Sequence, residues 1–118
     1  RHVAAINCET LRAAAEAFRR YPDTTAIFAA NDQTAFGARL YLYEQGLRVP
    51  EDVSLVGFDD IALSAYQIPP LTTVRQPIQD IGIALGRALR AVLAGEVPTL
   101  PRLELRLVER ASVREVRA

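Results

Sequence analysis

Short, continuous apolar runs alternate with stretches of helical spacing along the first 60 residues. Residues 25–30 and 53–58 are apolar runs of strand length, bounded by polar residues. Between them, Asp32 is expected to cap a helix that Gly46 ends, with Leu47 packing back against its last turn. Strands that are apolar on both faces must be buried on both, so this β-α-β pattern predicts a parallel sheet covered by helices, with a right-handed crossover.

The neighbouring segments extend the same pattern in both directions. An apolar run at residues 3–6 is expected to be the end of a strand, and Asn7 is expected to cap a helix that stops before Pro22. The later elements are predicted, in order, to be a strand at residues 71–76, a helix from Pro77 to Gly95 and a strand at residues 103–108. On the helix after Asp32, the side chains expected to face the core are Ala35, Phe36, Leu40 and Tyr43.

Composition limits the kind of protein this can be. The chain has 118 residues, enough for one domain with a real core, and its formal net charge is zero. With this balance, the chain lacks the excess positive charge that attracts nucleic acid or an anionic membrane. No apolar run approaches the roughly 20 residues of a membrane-spanning helix. A single Cys excludes an internal disulfide. The absence of Met predicts that the chain is a piece of a longer protein.

Three polar side chains follow predicted strands at the point where each strand ends. Asn31, Asp59 and Gln76 are expected to lie at one edge of the sheet, because ligands of parallel α/β folds bind beyond the carboxyl ends of the strands. One carboxylate and two amides provide hydrogen-bond donors and acceptors but no strong nucleophile. This set suits a neutral, polyhydroxylated ligand. His2 and Cys8 are isolated and form no metal-binding or catalytic motif.

A structural role for these polar residues is the alternative. Asn and Asp residues often follow strands simply as caps and turn formers. Asp32 is assigned to the cap of its helix, and Asp60 to the cap of the next short helix. Asp59 and Asp60 are expected to be extended, so that their side chains point opposite ways and only Asp59 faces the crevice. From the residues alone, the structural and ligand-binding interpretations of Asn31 and Asp59 both stay open.

Three segments together resemble the LacI/GalR family of bacterial transcription regulators. They read Ala-Ile-Phe-Ala-Ala-Asn-Asp at residues 26–32, Gly-Leu-Arg-Val-Pro-Glu-Asp-Val-Ser-Leu-Val-Gly-Phe-Asp-Asp at residues 46–60, and Pro-Pro-Leu-Thr-Thr-Val-Arg-Gln-Pro at residues 69–77. Their order and spacing match the C-terminal part of the effector-binding domain, over about residues 25–97. The joint occurrence of all three segments is much more specific than any one of them.

The resemblance implies an α/β fold that is one incomplete lobe of a two-lobed, periplasmic-binding-protein-like domain, with a parallel sheet and helices on both faces. Residues 1–77 would be the C-terminal lobe, and residues 78–118 the lobe-crossing helix and the returning strand. The N-terminal lobe and the DNA-binding domain would be absent. Carried over from the family, Asn31, Asp59 and Gln76 bind the effector. The residues that match the family's dimer interface are Phe36, Arg39, Leu63, Tyr66 and Ile68.

The predicted function is ligand sensing and dimerisation in a cytoplasmic LacI-type regulator. A sugar or similar small polar effector would bind in the cleft between lobes and control DNA binding by the missing N-terminal domain. The resemblance implies a homodimer that meets operator DNA only through that domain, and no enzymatic activity, cofactor, metal or membrane contact. One alternative is the sugar-binding protein of an ABC-type transporter, which shares the fold. A small α/β enzyme with Asp59 and Asp60 as an acid/base pair ranks lower, because adjacent residues at a strand end cannot both address one substrate atom.

The helix from Pro77 to Gly95 carries an apolar stripe that needs a partner surface. In the family this helix packs on the other lobe, so we expect the stripe to dock against a second copy of the chain or to fold back onto the same lobe. The stripe consists of Ile78, Ile81, Leu85, Leu89, Val92 and Leu93.

Overall fold

The computed structural model describes residues 2–6 and 11–115, so Asn7 and Cys8 lie outside the described residues. The chain forms two compact units. Unit 1 comprises Arg1–Arg75 and Leu107–Ala118, and unit 2 comprises Gln76–Arg106. The assignment of residues 1–77 and 78–118 to two lobes stays a prediction.

Unit 1 is built on a parallel sheet of three strands in the order β1-β2-β3. The strands are β1 (His2–Ile6), β2 (Thr24–Ala29) and β3 (Ser54–Val56). Helix α1 (Leu11–Arg20) connects the first two strands, and helix α2 (Asp32–Glu44) connects the second and third. The predicted β-α-β unit, the parallel sheet and the α/β class are therefore confirmed.

Helices α1 and α2 contact each other and pack on the same face of the sheet. Between them and the sheet lie buried aliphatic side chains such as Ile27, Leu42 and Leu55, each at most 2% exposed. On the opposite face Val3 is 74% exposed and Phe28 is 40% exposed.

The buried side of α2 agrees only in part with the predicted one. Ala35 is buried as predicted and Phe36 packs against the core, but Leu40 is 48% exposed and Tyr43 is 81% exposed. The buried side also includes Ala38 and Leu42. The helix has apolar residues on two sides, and periodicity alone could not tell which side faces the sheet.

The predicted glycine ending of α2 is confirmed. Gly46 adopts φ 70°, in the left-handed region, and the Leu47 amide donates to the Leu42 carbonyl at 2.8 Å. This is the 6→1 hydrogen bond of a Schellman motif, which satisfies a carbonyl at the helix end.

An ion pair closes the loop that follows. The Asp52 carboxylate accepts hydrogen bonds from the Arg48 backbone amide, Nε and guanidinium nitrogen at 2.8, 2.8 and 2.9 Å. The Asp52 amide in turn donates to the Arg48 carbonyl at 2.9 Å. The hydrogen bonds from Arg48 lower the pKa of Asp52 to about 2.

A second pair of strands, β4 (Thr73–Arg75) and β5 (Arg106–Val108), lies beyond β3 and is shorter than predicted. Ser112 joins β3 to β4. Its hydroxyl donates to the Leu55 carbonyl at 2.5 Å and accepts from the Thr72 amide at 2.8 Å. Because Ser112 is fully buried, this segment after β5 is an integral part of unit 1.

Unit 2 is dominated by helix α3 (Ile78–Leu93), which starts after Pro77 and ends at Gly95 with φ 77°, as predicted. None of its residues is buried, and Leu85, Leu89 and Leu93 are 58%, 61% and 80% exposed. What covers this apolar stripe stays a prediction. Within residues 2–6 and 11–115, no helix has the length and apolar character needed to cross a membrane.

We expect the Asp52 carboxyl to titrate near pH 2 in the folded chain. Because its folded pKa lies below the usual range, the stabilisation by Arg48 is present above that range and is lost as the pH falls through about 2. Arg48→Gln should raise the midpoint toward an ordinary value, as measured by carboxyl carbon chemical shifts. Glu51→Gln is the control, because it leaves all three bonds from Arg48 in place. An unchanged midpoint in Arg48→Gln would contradict the assignment.

Candidate ligand-binding site

Two of the three predicted site residues lie at the same edge of the sheet in unit 1. Asn31 comes two residues after the end of β2, and Asp59 comes three residues after the end of β3. β2 and β3 are parallel neighbours, so their carboxyl ends are adjacent, and both side chains are half-buried there. Gln76 directly follows β4 and is the first residue of unit 2. Its membership of a shared site stays a prediction.

Asn31, and not Asp32, is the cap of α2. Its Oδ1 accepts a hydrogen bond from the Thr34 amide at 2.8 Å, and its backbone is extended, as is usual at this position. The prediction that Asp32 caps the helix is therefore wrong. The cap uses the single oxygen of the Asn31 side-chain amide. The nitrogen of the same amide is a hydrogen-bond donor, of the kind that donates to a ligand hydroxyl.

Asp32 points inward and is 1% exposed. One carboxylate oxygen accepts from the Thr73 hydroxyl at 2.5 Å, and the other accepts from the Ser64 hydroxyl at 2.6 Å and the Ile61 amide at 2.9 Å. A Cβ on Gly57 would collide with the first oxygen, so the adjoining strand end requires glycine. Asp32 therefore joins α2 to β4 and to the loop after β3.

The turn at Asp59 and Asp60 was expected to be extended, and this prediction is wrong. Both residues have positive φ, 110° and 54°, a conformation that non-glycine residues rarely adopt. Such a residue costs on the order of 1–3 kcal/mol and persists only where its surroundings fix it. Here the Asp59 amide donates to the Val74 carbonyl at 2.8 Å, and the Phe58 carbonyl accepts from the Asp32 amide at 2.8 Å. Together with the bond from the Ile61 amide to Asp32, these contacts hold the turn on both sides.

Asp60 forms ion pairs and does not cap the next helix. The 3-10 helix Ala62–Tyr66 begins after Ile61 without a side-chain cap. The Asp60 carboxylate, 4% exposed, accepts from Arg75 Nε at 2.5 Å and from Arg110 at 2.6 Å. Burial raises the pKa of Asp60, but the hydrogen bonds from Arg110 and Arg75 outweigh it and hold that pKa below its usual range.

These contacts argue against an acid/base role for the two aspartates. Asp60 is held ionised between two guanidinium groups, so it is a poor proton donor. Throughout residues 2–6 and 11–115, no group of three or more His, Cys, Asp or Glu side chains is arranged to hold a metal ion.

The residues predicted to form the dimer interface lie on α2, on the 3-10 helix and on the loop that follows it. Leu63, Tyr66 and Ile68 are 53%, 80% and 89% exposed, and Phe36 is half-buried. Arg39 is half-buried, and both of its terminal nitrogens donate to the Pro69 carbonyl, at 2.9 and 3.1 Å. A cavity of about 470 Å³ lies beside them, and its lining includes Arg39, Tyr43, Leu47, Val49, Ile68 and Pro69.

The buried hydrogen-bonding roles of Asp32 and Asp60 were only weakly predictable from the sequence. The partners of Asp32 lie 29 to 41 residues away along the chain, and Arg110 lies 50 residues from Asp60. Local patterns of caps and turns therefore could not reveal them. A buried aspartate at a strand end, with Ser and Thr on later segments, is recognisable only once the strands are placed side by side.

Replacing Asp32 by Ala should destabilise the chain strongly. Three buried donors would lose their acceptor, and each unsatisfied donor costs about 1–3 kcal/mol, so we expect a loss of roughly 3 kcal/mol or more in the free energy of unfolding. Chemical denaturation measures this loss. Glu16→Ala, which removes an exposed pair with Arg19, is the control and should change stability little. Similar losses in both variants would contradict the role of Asp32.

The chain is similar in sequence to a known domain family and to several transcriptional regulators. Residues 2–113 match the family described as a periplasmic binding protein-like domain. The regulator CelR of Thermobifida fusca is 40% identical over 90 residues, which are 76% of this chain and 26% of CelR. The repressor PurR of Vibrio vulnificus is 43% identical over 76 residues, which are 64% of this chain and 23% of PurR. The chain thus spans about a quarter of the length of these curated relatives.

Solved structures of regulators share the fold. A CelR–cellobiose complex aligns with a TM-score of 0.78 at 39% identity, over 86% of this chain and 32% of that chain. The Lac repressor dimer bound to operator and an anti-inducer aligns with a TM-score of 0.77 at 34% identity, over 87% of this chain and 36% of that chain. A LacI-family regulator from Arthrobacter sp. FB24 in complex with lactose aligns with a TM-score of 0.72 at 36% identity, over 90% of this chain and 43% of that chain.

The resemblance seen in three segments of the sequence is thereby confirmed. The chain belongs to the periplasmic binding protein-like domain family, as part of the effector-binding domain of a LacI-family transcriptional regulator.

Proposed function

We propose that the chain senses a sugar or similar small polar effector for a LacI-type regulator, through Asn31, Asp59 and Gln76. The observation that carries the proposal is the placement of Asn31 and Asp59 at the adjacent carboxyl ends of two parallel strands. Two related regulators have been solved in complex with cellobiose and with lactose, which supports a sugar as the ligand class.

The chemistry of these side chains suits a neutral ligand with several hydroxyls. A carboxylate accepts hydrogen bonds from paired hydroxyls, and an amide both donates and accepts. The Asp59 turn is held by backbone contacts to Val74 and Asp32, so a ligand would meet a carboxylate whose backbone is already in place. Preorganisation of this kind lowers the entropy lost on binding.

The chain also offers a surface for a two-fold homodimer. Leu63, Tyr66 and Ile68 are exposed apolar side chains on one segment, next to Phe36 and Arg39 on α2. A related Lac repressor is a dimer on its operator, and two-fold pairing lets a regulator read two half-sites. In this proposal the protein acts in the cytoplasm, and operator DNA is bound by a separate N-terminal domain.

The sugar-binding protein of an ABC-type transporter would use the same fold. The named relatives with 40–43% identity are transcriptional regulators, and this favours the regulator.

Asp59→Ala in the full-length protein should weaken effector binding by about tenfold or more, because a buried ligand hydroxyl would lose its acceptor. Isothermal titration with cellobiose and with lactose, and then with a panel of monosaccharides, measures the affinity. Asp52→Ala is the matched control, since it removes an aspartate of unit 1 that lies away from the strand edge and binds Arg48. Unchanged affinity in Asp59→Ala would remove Asp59 from the site.

A charge placed in the proposed dimer surface should separate the two copies. Ile68 is 89% exposed, so Ile68→Asp should leave the fold intact while a buried, unpaired carboxylate opposes pairing. Light scattering at tens of micromolar, about the range in which weak dimers persist, reports the mass. Arg12→Glu, an exposed change on α1, is the control and should leave the mass unchanged. A wild-type monomer, or a dimer that survives Ile68→Asp, would contradict the interface.

A further inference from the structure

Asp60 directly follows Asp59, the proposed ligand contact, but is not itself proposed to bind the effector. Its side chain is 4% exposed and is enclosed by two guanidinium groups, Arg75 at 2.5 Å and Arg110 at 2.6 Å. The two arginines differ in their surroundings. The Arg75 side chain is 54% exposed, whereas that of Arg110 is 17% exposed and also donates to the Leu71 carbonyl at 2.8 Å.

The two arginines mark the places where the chain leaves unit 1 and returns to it. Arg75 is the last residue of the first segment of unit 1, and Arg110 lies three residues after the second segment begins at Leu107. The Arg110 amide also donates to the Thr72 hydroxyl at 2.9 Å, beside the start of β4. One carboxylate therefore ties both connecting segments to the turn that holds Asp59.

We propose that Asp60 is a positioning residue: held by Arg75 and Arg110, it fixes the positive-φ turn that presents Asp59 to the effector. The inference rests on the proposed function for the role of Asp59, and on the described contacts of unit 1 for the rest. It adds to the site three residues that do not touch the effector.

The physical reason lies in the backbone of the turn. Two consecutive non-glycine residues with positive φ relax toward common conformations unless contacts oppose the change. Contacts to Asp32 hold the turn before Asp59 and after Asp60, through the Phe58 carbonyl and the Ile61 amide. Between these two points, the side chain of Asp60 supplies charge-assisted bonds, which are shorter and stronger than neutral ones. Without them, the amide of Asp59 should separate from the Val74 carbonyl more often.

Amide hydrogen exchange of the full chain tests the positioning without any ligand. In Asp60→Asn, which keeps the shape and removes the charge, the Asp59 amide should exchange about tenfold or more faster than in the wild type. The Leu55 amide, bonded to the Ser112 carbonyl, is the internal control and should change much less. Equal acceleration of both amides would show a general loss of stability and would overturn the proposal, as would no acceleration at Asp59.

Conservative replacements of the arginines give a second test. Arg75 binds Asp60 through Nε, so Arg75→Lys should restore most of the protection of the Asp59 amide that Arg75→Ala loses. Arg110 binds Asp60 and Leu71 with two different nitrogens, and a lysine cannot span both. Arg110→Lys should therefore restore less of the protection that Arg110→Ala loses at the Asp59 amide. Equal exchange at Asp59 in the wild type, Arg75→Ala and Arg110→Lys would contradict the role of the ion pairs.

Titration of the full-length protein with cellobiose and lactose then separates the two proposals. If the wild type binds either sugar, Asp60→Asn should weaken that affinity about tenfold, and Asp52→Asn should not. Faster exchange at Asp59 with unchanged affinity would overturn the positioning role. If the wild type binds neither these sugars nor a wider sugar panel, the proposed effector class fails, and hydrogen exchange alone still decides whether Asp60 fixes the turn.

Discussion

The buried carboxylate of Asp32 is the contact on which the arrangement of unit 1 depends. It accepts hydrogen bonds from Ile61 and Ser64 in the loop after β3 and from Thr73 in β4, two segments that are separate in sequence. A carboxyl group at 1% exposure is tolerated only where several donors replace water. The same requirement brings β4 and the loop after β3 to fixed positions beside α2. Both the helix cap at Asn31 and the turn at Asp59 adjoin this contact, so the proposed site is built around a carboxylate that does not belong to it.

Several helices and strands could be predicted because their signals are local. The apolar runs of β2 and β3, the glycine ending at Gly46 and the start of α3 after Pro77 are read from neighbouring residues, and the structure has each within a few positions. The inner side of α2 could be predicted only in part. Ala35 and Phe36 were expected to face the core and do so, whereas Leu40 and Tyr43 were expected there and are exposed. The helix has apolar residues on two sides, and periodicity does not show which of them meets the strands.

The site was predictable in its location and only partly in its details. The rule that ligands meet the carboxyl ends of parallel strands placed Asn31 and Asp59 at one edge. Assigning the neighbouring aspartates required contacts made across tens of residues, such as Asp60 with Arg110. Sequence periodicity contains no information about such pairs. For the same reason, the backbone of the Asp59–Asp60 turn was expected to be extended, since nothing local indicates positive φ at two consecutive aspartates.

The two apolar sides of α2 have different roles: one packs in the core and the other forms part of the surface. Its alanines are locked between helix and strands, where any added methyl group meets dense packing. Leu40 and Tyr43 on the other side are exposed in the isolated chain and do not contribute to that packing. Substitutions on this outer side should therefore cost the fold little, whereas substitutions on the inner side should not.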